Sequence, residues 1–216
     1  MNGQMDDNSH PSNNSAGTYS VAMGYSTTAS GLYSTAMGWG TTASGIESTA
    51  MGRSTTASGN RSTAMGDSTT ASGDYSSAMG YSTTASGDYS VAMGESTTAS
   101  GNYSSAMGLF SIASGSYSTA MGYVTTASDF ASLVIGQHNS SGSSVTNNAT
   151  SFNTANTAFV IGNGADSSNK SDAFKVMFNG DATVSNDLTV SGDVNISSDA
   201  RLKSNIVSLG STLPKL

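Results

Sequence analysis

Small and apolar residues recur along this chain with a fixed step. The triplet Ala-Met-Gly begins at Ala22, Ala36, Ala50, Ala64, Ala78, Ala92, Ala106 and Ala120, always 14 residues apart, and Val134-Ile135-Gly136 is a degenerate ninth copy. Between the copies lies Thr-Thr-Ala-Ser-Gly, as at 41–45. Superposing the halves exposes a period of seven, [Ser/Thr]-x-Ala-x-Gly-x-x, with Ser34-Thr35-Ala36-Met37-Gly38 and Thr41-Thr42-Ala43-Ser44-Gly45 as its two versions. Side chains alternate faces along a strand, so each half predicts a five-residue strand with Ser, Ala and Gly on the inner face. The Gly-x-x that follows predicts a turn, with glycine supplying a positive φ. A helix is disfavoured by the recurring glycine and the density of Ser and Thr. Two strands and two turns per 14 residues make one coil of a solenoid, and the fold class is all-β.

The columns generated by this period differ in chemistry. An inner face of Ser, Thr, Ala and Gly forces a thin coil. Outward from the Ala-Met-Gly half stands Met23, Met37, Met51, Met65, Met79, Met93, Met107 and Met121. Eight methionines would overfill so small a coil if they pointed inward. Monomers rarely leave an apolar stripe of this kind in water, so these residues are the expected interface of a symmetric self-assembly. The other half presents a polar column, Thr28 with Ser30, Thr42 with Ser44 and onward to Thr126 with Ser128, interrupted by Ile112. The turns carry the variation. One column reads Tyr25, Trp39, Arg53, Asp67, Tyr81, Glu95, Leu109, Tyr123, and another reads Tyr19, Tyr33, Glu47, Arg61, Tyr75, Tyr89, Tyr103, Tyr117. Residues 14 apart should stack at about 4.8 Å. Arg53 is then expected against Asp67 and Glu47 against Arg61, and the tyrosines as a packing ladder or a platform for glycans.

Composition narrows the function. Of 216 residues only 36% are apolar, largely Ala and Met, too few for an ordinary single-chain core. No run approaches the ~20 apolar residues of a membrane helix, so no membrane insertion is expected, and the first residues lack the pattern of a signal peptide. There is no Cys, which removes disulfides and thiolate sites. A net charge of −7 with seven Lys plus Arg argues against nucleic acid. His10 and His138 stand alone in polar stretches, Asp74 and Asp88 share a turn column where solvated carboxylates are the common case, and the residues around Gly164 form no phosphate loop. We therefore expect no metal, no cofactor and no turnover of substrate.

The repeat predicts a roll over 15–137, preceded by a frayed segment at 1–14. The period fails at 138–157, a polar transition loop. Short β-like runs follow at 158–162, 173–178, 182–185, 188–190 and 194–196, divided by turn signals, and predict a β stem over 158–197. Strands this short do not stand alone, and a prism built from three chains suits them.

The 14-residue unit with these glycine positions resembles the head repeats of YadA-type trimeric autotransporter adhesins, which also occur in phage tail fibres. The resemblance covers about residues 15–137, although heads of that family often carry Ile or Val where this chain has Met. It implies a homotrimeric left-handed parallel β-roll and a structural role in surface attachment. It also implies a host glycan or protein receptor, and a location outside the cell, on its surface or on a virion. The run Ser198-Asp199-Ala200-Arg201-Leu202-Lys203 resembles the junction before endosialidase-type intramolecular chaperones, which drive trimer assembly and then cut themselves off. That resemblance covers 198–216 and implies Ser198 as nucleophile and Lys203 as general base of a single self-cleavage in a longer precursor. Without the rest of a chaperone around them, Ser198 is expected to be a turn residue and Lys203 a solvated charge, and no cleavage is expected of this chain by itself. A rival from another class is ice binding, since the Thr-x-Ser column resembles the threonine arrays of β-solenoid antifreeze proteins.

Overall fold

The computed structural model describes residues 15–191, and every regular element among them is a strand. The chain winds as a parallel β-solenoid with two unlike sheets. One has nine strands of two residues each, from Ser15–Ala16 and Thr28–Ala29 to Thr126–Ala127. The other has twelve, beginning with nine five-residue strands from Val21–Tyr25 and Thr35–Trp39 to Leu133–Gln137. The register is the repeat itself: Ala22 pairs with Ala36, Met23 with Met37, and Thr42 with Thr56.

The second half of each repeat is a shorter strand than its sequence predicts, Thr42–Ala43 in place of 41–45. The N–H groups of Ser44 and Gly45 both donate to the Ala57 carbonyl, at 2.9 and 3.3 Å, so the chain is already turning there and the ladder stops. The core is correspondingly thin. The alanines of both halves, from Ala22 and Ala29 to Ala120 and Ala127, have no solvent exposure, and Ser34 and Thr41 are buried beside them. Ser34, Ser48 and Ser62 donate their hydroxyls to the carbonyls of Gly31, Gly45 and Gly59. Gly38 lies outside this inner face, because its φ of +127° swings the strand end outward.

The expected positive φ of glycine is present in one half of the repeat, at +122° for Gly24 and Gly52, and absent from the other, at Gly31 and Gly45. The left-handed residue of each turn sits two positions after the glycine, at Tyr33 (φ 59°) or Ser54 (φ 52°), where a side chain is present and pays a conformational cost. In both halves glycine is also required by the approach of neighbouring coils. A Cβ at Gly52 would lie 2.0 Å from the Gly66 carbonyl oxygen, and one at Gly45 the same distance from that of Gly59.

Beyond 137 the roll continues where a stem was expected. Thr157–Asn163 pairs in parallel with Leu133–Gln137, Val134 lying against Val160, 26 residues on, so 158–162 is the outer strand of one enlarged coil. Its buried Val160 repeats the inward position that Val134 and the alanines hold. Two antiparallel strands, Asp172–Met177 and Ala182–Val184, then extend the same sheet. No strand forms at 188–190, where Leu188 is 71% exposed and pairs with nothing in the ladder. The expected run at 194–196 and the segment 1–14 lie outside the described residues. The compact unit that contains the roll and these strands ends at Asn186.

Candidate functional site

The outer face of the long sheet is the most distinctive surface. The methionine side chains stand outside the coil, Met23 and Met121 being 44% and 36% exposed and the six between them half-buried. The column runs past the last methionine. Met121 pairs with Ile135, Ile135 with Ile161, Ile161 with Phe174 and Phe174 with Val184. Val21, Thr35, Thr49 and their successors flank it, and toward the C-terminal end Leu133, Phe159 and Val176 take that place. Ile161 and Phe174 escaped the repeat-based reading because an insertion separates them from it. The signal was Phe159-Val160-Ile161-Gly162, which repeats the pattern of Leu133-Val134-Ile135-Gly136.

The expected ion pairs form. Arg53 Nε donates to Asp67 Oδ2 at 2.8 Å, and Arg61 Nε to Glu47 Oε2 at 2.9 Å. Hydrogen bonds from Arg53, and then from the Ser68 hydroxyl, hold the Asp67 carboxyl below its ordinary range, and the same pairing raises Arg53. Tyr75, Tyr89, Tyr103 and Tyr117 stack face to face, their centroids 4.7–4.8 Å apart, and the Arg61 guanidinium covers the Tyr75 ring. Burial in the stack, with the phenols above and below, raises the Tyr89 phenol. Stacking covers the ring faces that a sugar would need, which makes this column a packing ladder.

Asp74 and Asp88 belong to another ladder that spacing had not revealed. Ile46 N donates to Asn60 Oδ1, Asn60 N to Asp74 Oδ1, Asp74 N to Asp88 Oδ1, and Asp88 N to Asn102 Oδ1. Each side chain thereby satisfies a turn N–H one coil earlier. Among the described residues no three or more His, Asp or Glu side chains gather as a metal site would require. On the opposite sheet Thr28, Thr42, Thr56, Thr70, Thr84, Thr98 and Thr126 are partly exposed in register, with Ile112 among them.

The insertion after 137 closes one end of the roll. Asn139 Oδ1 accepts from Thr126 N at 2.8 Å and its Nδ2 donates to Thr126 O at 2.9 Å, so one side-chain amide takes the place of the next strand on the short sheet. Asp129, which stands where earlier coils have glycine, is fully buried and accepts from Thr146 N and Thr157 N. His138, expected in solvent, is 4% exposed: the chain that follows folds back on it, Ser171 N donating to its carbonyl at 3.1 Å, and its ring stands perpendicular to that of Tyr123 with the centroids 5.1 Å apart. Ser198, Lys203 and His10 lie outside the described residues.

The comparison with known families agrees with this geometry. The YadA head domain repeat matches residues 15–41, 43–69, 71–97, 85–111, 99–125 and 113–137. No curated protein matched the chain. These matches span more than half of the chain and stop at the last regular coil, where the enlarged one begins, and the chain therefore belongs to the YadA head repeat family of adhesins.

Proposed function

We propose that this chain is a segment of a homotrimeric surface fibre, in which three rolls pack with their methionine columns against a common axis and the outer turns face a host glycan or protein receptor. The observation that carries this reading is the unbroken apolar column from Met23 through Ile161 to Val184 on the outside of a solenoid whose interior is already filled by alanine. Its role is display and attachment without turnover, outside the cell, on a cell surface or a virion. Light scattering on the full chain tests it. A trimer mass is expected, and Met65→Asp should reduce it, because three carboxylates would meet at a dry axis at a cost of several kcal/mol. A stable monomer mass for the unaltered chain overturns the reading. The residues after the roll are proposed to form a trimeric stem. They lead to a junction at which a longer precursor cuts itself, with Ser198 as nucleophile and Lys203 as base. A precursor carrying Ser198→Ala should remain uncut and trimeric.

The threonine column supports a second reading, ice binding, because it sets like side chains at ladder spacing on a regular sheet. Thr56→Tyr distinguishes the two. Loss of ice shaping with an intact fold favours the second reading, and absence of ice shaping in the unaltered chain removes it.

A further inference from the structure

The antiparallel extension of the long sheet has two unlike faces. Phe174 pairs with Ile161 and Val184, and so continues the methionine face. Lys175 pairs with Val160 and Thr183, and so lies on the opposite face, in line with the buried core of the roll. There the short sheet has ended at Thr126–Ala127, its edge is capped by Asn139, and the Ser140–Ser141 backbone that follows forms one wall of the space beyond. The result is an open polar cleft of about 550 Å³, within the ~300–1,000 Å³ usual for small-molecule sites.

Its charge is unusual for this chain. Among the described residues Arg53 and Arg61 are engaged in ion pairs, whereas Lys170 and Lys175 make none, and both of these line the cleft. A chain of net charge −7 thus brings two lysines against a single carboxylate to one concavity. The carboxylate there, Asp172, keeps its charge but is turned to the backbone, its two oxygens accepting from Ser140 N and Ser141 N at 2.8 and 2.9 Å, with no ion pair to either lysine among the described residues. The remaining lining offers amides and hydroxyls, among them Asn163, Thr183 and Asn186. No aromatic ring lines it, so a neutral sugar would find no face to stack on, and affinity has to come from charge.

We infer that this cleft binds an acidic saccharide unit, its carboxylate or sulfate between Lys170 and Lys175 and its hydroxyls on the surrounding amides and hydroxyls. The inference rests on the attachment reading and names the ligand class for it. Because the cleft lies on the face opposite the methionine column, it stays open when that column is covered.

The test is calorimetric or NMR titration of the full chain with glucuronate, galactose 6-sulfate and glucose. The two acidic sugars should bind in the range of about 1 mM, and glucose at least tenfold more weakly. Comparing glucuronate with the sulfated sugar identifies which anion the cleft takes. Lys170→Gln and Lys175→Gln should each weaken binding of the preferred acid about tenfold and the double variant abolish it. Lys175→Arg should retain binding, which separates loss of charge from a misfolded extension. Binding of both acids no tighter than that of glucose, or undiminished binding by the folded double variant, overturns the inference. Neither result touches the trimer mass, on which the fibre reading stands or falls.

Discussion

At Gly52 an added methyl group has nowhere to go: its position is 2.0 Å from the Gly66 carbonyl oxygen, and the φ of +122° disfavours any side chain. Gly52→Ala is therefore expected to destabilise the roll by more than about 4 kcal/mol, in the range reserved for severe packing errors, seen as a large fall in melting temperature. Gly40 is a useful contrast. Its φ of 64° is the one that Ser54 and Ser68 adopt in the same column, and a Cβ there would meet only the Ser54 hydroxyl at 3.8 Å, so Gly40→Ser should fold. The exposed pair of Arg53 and Asp67 predicts a pH dependence. The folded carboxyl sits below its ordinary range, so its stabilising contribution is complete above that range and is lost as pH falls through the folded value. Asp67→Asn should melt below the unaltered chain at neutral pH, with the gap closing in acid and shrinking with added salt.

The short sheet shows how a small element is terminated. Asn139 supplies both an acceptor and a donor to Thr126, while Ser128 N donates to Gly142 O, so the sheet edge is paired by loop residues. Asn139→Ala leaves a partly buried N–H and C=O unmet, at about 2–3 kcal/mol, and exposes an edge that invites association. The expected result is a lower melting temperature together with a rise in scattering at high concentration. This cap was not legible beforehand, because a single Asn in a polar stretch of Ser and Asn carries no periodic signal. The periodic part was legible. The step of 14 predicted the buried alanines, the outward methionines, and the pairings of Arg53 with Asp67 and of Glu47 with Arg61. It misled in two places. It assigned equal strands to both halves, since small residues alternate in each, although Ser44 already turns. It also ended the roll at 137, since a coil enlarged to 26 residues breaks the count while Val134 and Val160 keep the register.

For the whole roll, stability is a sum over neighbouring coils, each touching only the next. Deleting 72–85 removes one full coil and joins Ala71 to Ser86 in phase, so the shortened chain should fold with the same circular dichroism per residue and the same number of chains per oligomer as the unaltered one. Deleting 72–78 removes half a coil. Every later Ala-Met-Gly strand would then fall on the narrow side, where only two residues pair, and the methionine column would be split between two faces. That variant should fail to give a soluble, ordered product.

The strands lie across the long axis of the roll, so the hydrogen bonds between coils point along it. A pull from the two ends of the chain therefore loads these bonds in tension, one strand at a time, instead of shearing a whole ladder at once. Each coil that peels away releases 14 residues, up to about 50 Å of extended chain, in exchange for one strand spacing of about 4.8 Å. An isolated chain is mechanically soft: it yields at low force, in equal steps, and lengthens roughly tenfold. The 26-residue coil that spans Val134 to Val160 would interrupt this staircase with one longer step, a signature that force spectroscopy on a single chain would read directly.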